Sequence, residues 1–306
     1  MTHPLTRIRV PSSTSNLGPG FDSQGIALSL YLTIDVELSD DSSITFSFAG
    51  EGAGELASAA ENNLIYTAMN FIADREGVEL PAGRLQVTNE IPLARGLGSS
   101  AAAIIAGFSA FEVLAGVTLS EEKLLAYATA MEHHSDNVAA ALLGSFVVSC
   151  VTETDKVLAS RVTWPDEVKA IVVVPNFKVR TEDSRRVVPT QVSREDAVFN
   201  IQRAALFVAA LNEQRYDLIR EAMRDRLHQP YRAPLVPGLK EILNLKDVNG
   251  LIGVALSGSG PTVFALATDN FEEVAKTISY CFQSHDIECT SRIVEVEKEG
   301  RVVRKL

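Results

Sequence analysis

Residues 99–115, SSAAAIIAGFSAFEVLA, are small or apolar on nearly every face of a helix, so this segment suits a helix enclosed on all sides. Gly116 supplies its stop, because glycine closes a helix in the left-handed conformation without steric cost. Immediately ahead, a strand-like run in IPLARGLG (91–98) passes through a Gly-rich turn straight into that helix. The first helical amides then face whatever sits in the turn, and together with the positive end of the helix dipole they favour a phosphate. Gly96 and Gly98 let the backbone approach an anion and take φ values that a Cβ would forbid, while Ser99 and Ser100 add hydroxyls. The loop is neither a Walker A motif nor GxGxxG. By itself it fits a tight structural connection as well as a phosphate cradle.

The rest of the chain supplies elements to surround the helix. Alternation in RIRV (7–10) and LTIDVEL (32–38) reads as strands flanking a Gly- and Ser-rich turn, with TFSF (45–48) and RLQVTNEI (84–91) extending the same mixed sheet. Ser120 followed by Glu121 and Glu122 opens a second helix. SFVVSCV (145–151) and VKAIVVVP (168–175) read as strands, and the polar stretch 153–167 between them marks a boundary near 160, dividing the chain into 1–160 and 161–306. The second half offers helices at 195–212, 214–228 and 271–283, with strands GLIGVAL (250–256), TVFALA (262–267) and SRIVEVE (291–297). This order points to an α+β protein whose second unit is a layered sandwich.

Composition narrows the partners. A net charge of −11 argues against a nucleic-acid or anionic-membrane surface, so a bound anion needs local donors and a metal ion. Cys150, Cys281 and Cys289 form no CxxC and no zinc-spaced group. The first residues lack an apolar signal core, and the greasy runs 101–111 and 138–148 are too short to span a bilayer, which places the expected compartment in the cytoplasm.

Two further loops of small residues, PSSTSNLGPGFDSQGIAL (11–28) and LSGSGPTVFAL (256–266), flank the phosphate loop in chain order. With this triplet the sequence resembles the superfamily of galactokinase, homoserine kinase, mevalonate kinase and phosphomevalonate kinase. The first loop, EHHSDNVAAALLG (132–144) and DRLHQPYR (225–232) resemble the homoserine kinase branch. The resemblance spans essentially the whole chain. It implies a two-domain fold: an N-terminal domain with a left-handed β-α-β unit, a ferredoxin-like C-terminal domain, and ATP between them. The implied reaction is direct in-line transfer of the γ-phosphoryl group of ATP to the hydroxyl of L-homoserine, without a phosphoenzyme. Dimerisation follows only by analogy with relatives. A kinase acting on mevalonate, shikimate or a sugar, and a sensor that has lost turnover, are the rival readings.

The same resemblance assigns residues. Asn63 and the segment Pro92, Leu93, Ala94, Arg95, Gly96, Leu97, Gly98, Ser99, Ser100, Ala101 and Ala102 would hold ATP, and Ser100 with Glu132 matches the positions associated with Mg²⁺. These are hard oxygen donors of the kind that ion takes. Asn16, Asp22 and Asn137 would meet the ammonium and the reacting hydroxyl, and Arg185 with Arg232 would clamp the carboxylate. His134, Ser257 and Gly258 complete the pocket, and Asp22, Asn137 and Glu132 are the catalytic candidates. Asp22 could orient the hydroxyl, accept its proton, or bind only the ammonium. His228 reads as structural, His133 and His285 as surface residues, and His3 as part of a frayed terminus. Asn89 stands where relatives commonly carry Lys, a missing charge that Arg95 could supply.

Overall fold

The computed structural model describes residues 5–39, 43–56 and 63–306, so His3 lies outside the described residues. Strands β1 (Thr6–Asn16) and β2 (Gly20–Leu38) form an antiparallel hairpin turned by residues 17–19. The stretch 11–28, expected as a loop, is therefore mostly paired backbone, with Ser12, Ser13, Thr14 and Ser15 opposite Leu28, Ala27, Ile26 and Gly25. Along β2, Leu28, Leu30, Leu32, Ile34 and Val36 are buried while Ser29, Tyr31, Thr33, Asp35 and Glu37 alternate outward.

Strand β3 (Thr45–Gly50), the short helix α1 (Ala53–Leu56), helix α2 (Leu64–Glu76) and strand β4 (Gly83–Asn89) make a β-α-β unit whose strands pair in parallel. Helix α3 (Ser99–Ala115) runs beneath the sheet with both phenylalanines, Phe108 and Phe111, fully buried. Each such side chain contributes roughly 3 kcal/mol of transfer free energy. The small residues earn their place by proximity: a Cβ on Gly107 would stand 2.6 Å from the Ile65 carbonyl oxygen in α2. Gly116 ends α3 at φ +65°, and its amide donates to Glu112 O.

Helix α4 (Glu121–Glu132), capped by Ser120, gives way at His133 (φ +67°) to α5 (Asp136–Leu143). Strands β5 (Phe146–Val151) and β6 (Val157–Val162) follow, β5 pairing with both β2 and β6. The polar stretch 153–167 thus carries a strand of the first sheet. That sheet is seven-stranded, in the order β11-β1-β2-β4-β3 with β5 and β6 attached through β2.

The second sheet is four-stranded, in the order β10-β7-β9-β8. Its strands are β7 (Lys169–Pro175), β8 (Leu251–Leu256), β9 (Val263–Ala267) and β10 (Cys289–Val294). Between β7 and β8 lie α6 (Thr181–Arg186), α7 (Arg194–Asn212), α8 (Ile219–Ala222), α9 (Gln229–Arg232) and α10 (Leu239–Leu243), and α11 (Phe271–Gln283) joins β9 to β10. This is the β-α-β-β-α-β order of a ferredoxin-like unit. Apart from Lys169 at the start of β7, its middle strands are apolar because they are covered on both faces. Val172, Val174, Phe264 and Leu266 join the core of the first domain, while Ile171, Val173, Val263 and Ala265 pack with α10 and α11.

Two sequence expectations are corrected. Residues 214–228 are not one helix: α8 stops at Ala222, and the buried Asp225 carboxylate accepts the amides of Leu227, His228 and Gln229 to start α9. SRIVEVE is not one strand either, since β10 ends at Val294 and Val296 bridges to Leu28 of the first sheet. The chain then closes that sheet with β11 (Val302–Lys305) on β1. No described helix is long and apolar enough to cross a membrane.

Candidate active site

A cleft of about 350 Å³ lies between the two sheets, and the start of α3 opens into it. Gly98 precedes the helix at φ +66° with no side-chain cap. The first intrahelical bond is Ala102 N–H to Gly98 O at 2.9 Å, so the amides of Ser99, Ser100 and Ala101 have no acceptor in the described protein. Free amides at a helix start carry partial positive charge toward the cleft. Asn63 caps α2 across the way, its Oδ1 accepting the Ile65 amide at 2.9 Å. Its Nδ2 is buried in the cleft wall without a hydrogen-bond partner among the described residues, an unsatisfied donor that a ligand acceptor would complete.

The loop's glycines serve a closer neighbour than an anion. A Cβ on Gly96 would meet Ser257 O at 2.3 Å, and one on Gly98 would meet Ser13 Oγ at 2.1 Å. The 257–260 turn of the second domain is therefore sewn onto the phosphate loop, with Ser257 Oγ 2.6 Å from Gly96 O and Thr262 N–H donating to Arg95 O at 3.3 Å. Ala102 offers the cleft nothing, because its amide is engaged and its side chain is buried; Ala103 lines the wall instead. Ser257 too is buried behind the surface that Gly258 and Ser259 present. Pro92 faces a neighbouring hollow rather than this cleft.

Asn89, which lines the cleft, is a buried turn-holder. Its Nδ2 donates to Glu51 O and Ile91 O at 2.9 Å each, and its Oδ1 accepts the Ile91 amide. Arg95 directs Nη1 to the Pro175 carbonyl across the domain junction.

The sharp α4–α5 corner brings Glu132, His134, Asp136 and Asn137 to the start of α3. Ser100 Oγ donates to Glu132 Oε1 at 2.5 Å. Burial pushes the Glu132 carboxyl above its usual range, more than the Ser100 hydroxyl and His134 pull it down. A cation would relieve that cost. Hydroxyl and carboxylate beside free amides form the sparse oxygen set that Mg²⁺ shares with phosphates and water, so the residues present fit that ion. His134 Nδ1 lies 2.9 Å from Asp136 Oδ1. Burial would lower the imidazole, but the hydrogen bond and charge of Asp136, aided by Glu132, outweigh it and hold His134 above its ordinary value.

Asn137 is fully engaged: Nδ2 donates to Ser15 Oγ at 2.9 Å, and Oδ1 accepts from Ser13 Oγ at 2.9 Å. It braces the first motif against α5. Asn16, at φ +71°, likewise accepts the Asp22 amide at 3.0 Å and donates to Gly258 O at 3.1 Å. Asp22 (φ +56°) meets Arg185 of α6 in a two-pronged ion pair, Nη1–Oδ2 3.1 Å and Nη2–Oδ1 2.7 Å. Residues expected on opposite groups of one ligand thus hold each other. Arg232 is 2% exposed and donates to Ser184 O (3.2 Å) and Gly258 O (2.9 Å). Burial, then the Arg185 charge, push it down to about 10.

The sequence reading missed Ser13, Ser15 and Ser184, whose positions inside serine-rich or charged runs give no signal of these contacts. His133 and His285 are exposed, as read.

Comparison with known proteins draws these features together. The GHMP kinases N terminal domain matches residues 63–145 and the GHMP kinases C terminal domain residues 207–283. Homoserine kinase of Desulfitobacterium hafniense is 41% identical over 300 residues, covering 98% of this chain and all 100% of the relative. The chain belongs to the GHMP kinases. Homoserine kinase of Persephonella marina is 36% identical, with 97% of each chain covered. The crystal structure of homoserine kinase from Cytophaga hutchinsonii superimposes on this GHMP kinase with a TM-score of 0.85 at 28% identity, covering 98% of each chain. A GHMP kinase takes ATP as phosphoryl donor, and free amides at a helix start are groups of the kind that suit phosphates.

Proposed function

We infer that this kinase transfers the γ-phosphoryl group of ATP to the side-chain hydroxyl of L-homoserine. The reading is carried by one observation: free amides at the start of α3 share a single cleft with the Asp22–Arg185 ion pair and Arg232. A zwitterion carries ammonium and carboxylate on one carbon, and the Asp22–Arg185 pair presents the complementary charges side by side. Mevalonate has a carboxylate but no ammonium, so it would leave Asp22 unmatched.

In this reading the hydroxyl oxygen bonds to the γ-phosphorus as the bond to the β–γ bridging oxygen breaks, ADP departs with that electron pair, and the hydroxyl proton is lost to solvent. Asp22 binds the ammonium, Arg185 and Arg232 the carboxylate, and Asn16 and Asn137 hold the hairpin that aims them. His134 walls the pocket beside Glu132. The amides of Ser99, Ser100 and Ala101 face the phosphates, and the side chains of Ser100 and Glu132 would hold Mg²⁺. When bound, that ion supplies charge neutralisation on the phosphoryl oxygens. Phosphoryl transfer asks mainly for alignment and charge stabilisation, which this arrangement provides. The cytoplasm is the compartment that such a substrate and the acidic composition suit.

The test is ADP release by the pure protein with ATP and Mg²⁺, comparing L-homoserine with L-threonine, L-serine and mevalonate. Turnover is expected to be greatest on homoserine; equal or greater turnover on mevalonate would overturn the assignment.

A further inference from the structure

We propose that His228 is a positioning residue for substrate selection, setting the Arg232 guanidinium against the substrate carboxylate through a neutral imidazole locked in one tautomer. The inference rests on the reading of Arg232 as a carboxylate clamp.

His228 is fully buried, and both ring nitrogens are accounted for. Nε2 lies 2.7 Å from the Gly18 carbonyl oxygen, which can only accept, so Nε2 carries the proton. Nδ1 lies 3.2 Å from Arg232 Nη1, which can only donate, so Nδ1 offers its lone pair. Only the neutral Nε2–H ring satisfies both contacts. Burial and the Arg232 charge lower the imidazole's affinity for a proton against the pull of Asp225, in keeping with that geometry.

Each end of this relay is held. Gly18 sits at φ +88° in the β1–β2 turn, where a Cβ would collide with Met223 O at 2.0 Å, so its carbonyl is a fixed point. The His228 ring stacks on Phe21 at 5.1 Å and 17°, and the Arg232 guanidinium lies 5.3 Å over the same Phe21 ring. Arg232 Nε is taken by Ser184 O and Nη1 by Gly258 O and His228. Nη2 has no acceptor in the described protein, and Arg232 lines the cleft. The position of the first-domain turn is thus passed through one imidazole to the one free nitrogen of a second-domain guanidinium.

The experiment compares L-homoserine with 3-aminopropan-1-ol, which keeps the ammonium and hydroxyl and lacks the carboxylate, used as a competitive ligand. His228→Phe retains the ring stack and loses both hydrogen bonds. It is expected to raise KM for homoserine about tenfold, with kcat within about twofold and the aminopropanol inhibition constant unchanged. His228→Asn, which keeps an acceptor toward Arg232, is expected to recover most of the loss. Equal weakening of both ligands would mark a general structural role and overturn the proposal, as would no change in either. Arg232→Leu separates the two levels. If it weakens homoserine alone while His228→Phe does nothing, the clamp stands and the relay fails; if it weakens neither ligand selectively, the clamp reading itself fails. Should His228→Phe not fold, His228→Asn and His228→Gln carry the test. Gln reaches Gly18 rather than Arg232, so its homoserine KM is expected to be the higher, and equal values overturn the proposal.

Discussion

The two ends of the cleft are built from different material. At the phosphate end, one unbroken segment presents main-chain amides, and what matters is its backbone path: no side-chain cap on α3, and glycines at 96 and 98 that let Ser257 and Ser13 pack against the loop. At the amino-acid end, side chains arrive from β2, α5, α6 and α9, and what matters is that each stands in place. Their histidines make the same point. His134 and His228 both lose solvent, yet carboxylates raise the first, while burial and Arg232 hold the second down. A main-chain site is fragile to local geometry, and a side-chain site is fragile to the packing of distant elements.

That contrast can be tested in order of effect. Gly98→Ala puts a Cβ 2.1 Å from Ser13 Oγ at a φ of +66°. It should cost about 3 kcal/mol or more in stability and reduce kcat/KM for ATP over a hundredfold, read by thermal melting and steady-state kinetics. A tolerated Gly98→Ala would break the claim that the loop's path depends on its close packing against Ser13. Glu132→Gln retains shape but loses charge, and is expected to lower kcat by about ten- to a hundredfold and to shift the Mg²⁺ titration to higher concentration. An unchanged titration would remove Glu132 from the metal. For Asp22→Asn, both of whose carboxylate oxygens accept from Arg185, KM for homoserine should rise about tenfold with little change in kcat. A fall in kcat instead would make Asp22 the base. The smallest effect is in pH. His134 should titrate above the ordinary value near 6.5, so the stability it adds is complete below that value and lost as pH rises through its own raised value. For His228, lowered on folding, stability instead falls as pH drops below about 6.5. Ring-proton titration by NMR, with His134→Gln and His228→Asn to assign each resonance, should give the two histidines opposite shifts.

The phosphate end was legible because its main-chain part is contiguous: the run from Arg95 to Ala115 states turn and buried helix by itself, and the structure keeps the helix at Ser99–Ala115, although the strand ahead of it stops earlier, at Asn89. The amino-acid end was reached only through resemblance, since Asp22 and Arg185 lie 163 positions apart and no local pattern joins them. Where local signals conflicted with tertiary ones, the reading failed. Residues 214–228 have helical spacing, but Asp225 turns inward to cap α9; the serine-rich stretch 12–15 lacks strand alternation, yet it pairs along β2.

What the amino-acid order determined alone was a helix that must be enclosed, a Gly-rich turn ahead of it, and strands such as those at 168–175 and 262–267, because each follows from side-chain volume and backbone sterics within a few residues. Which side chains share the cleft and which way His228 carries its proton were decided by the packing of the second sheet onto the first, and the bracing of the first motif by Asn137 by the packing of α5 onto β1. Charge and hydrogen-bond complementarity act through space, and only the folded chain says which atoms are near.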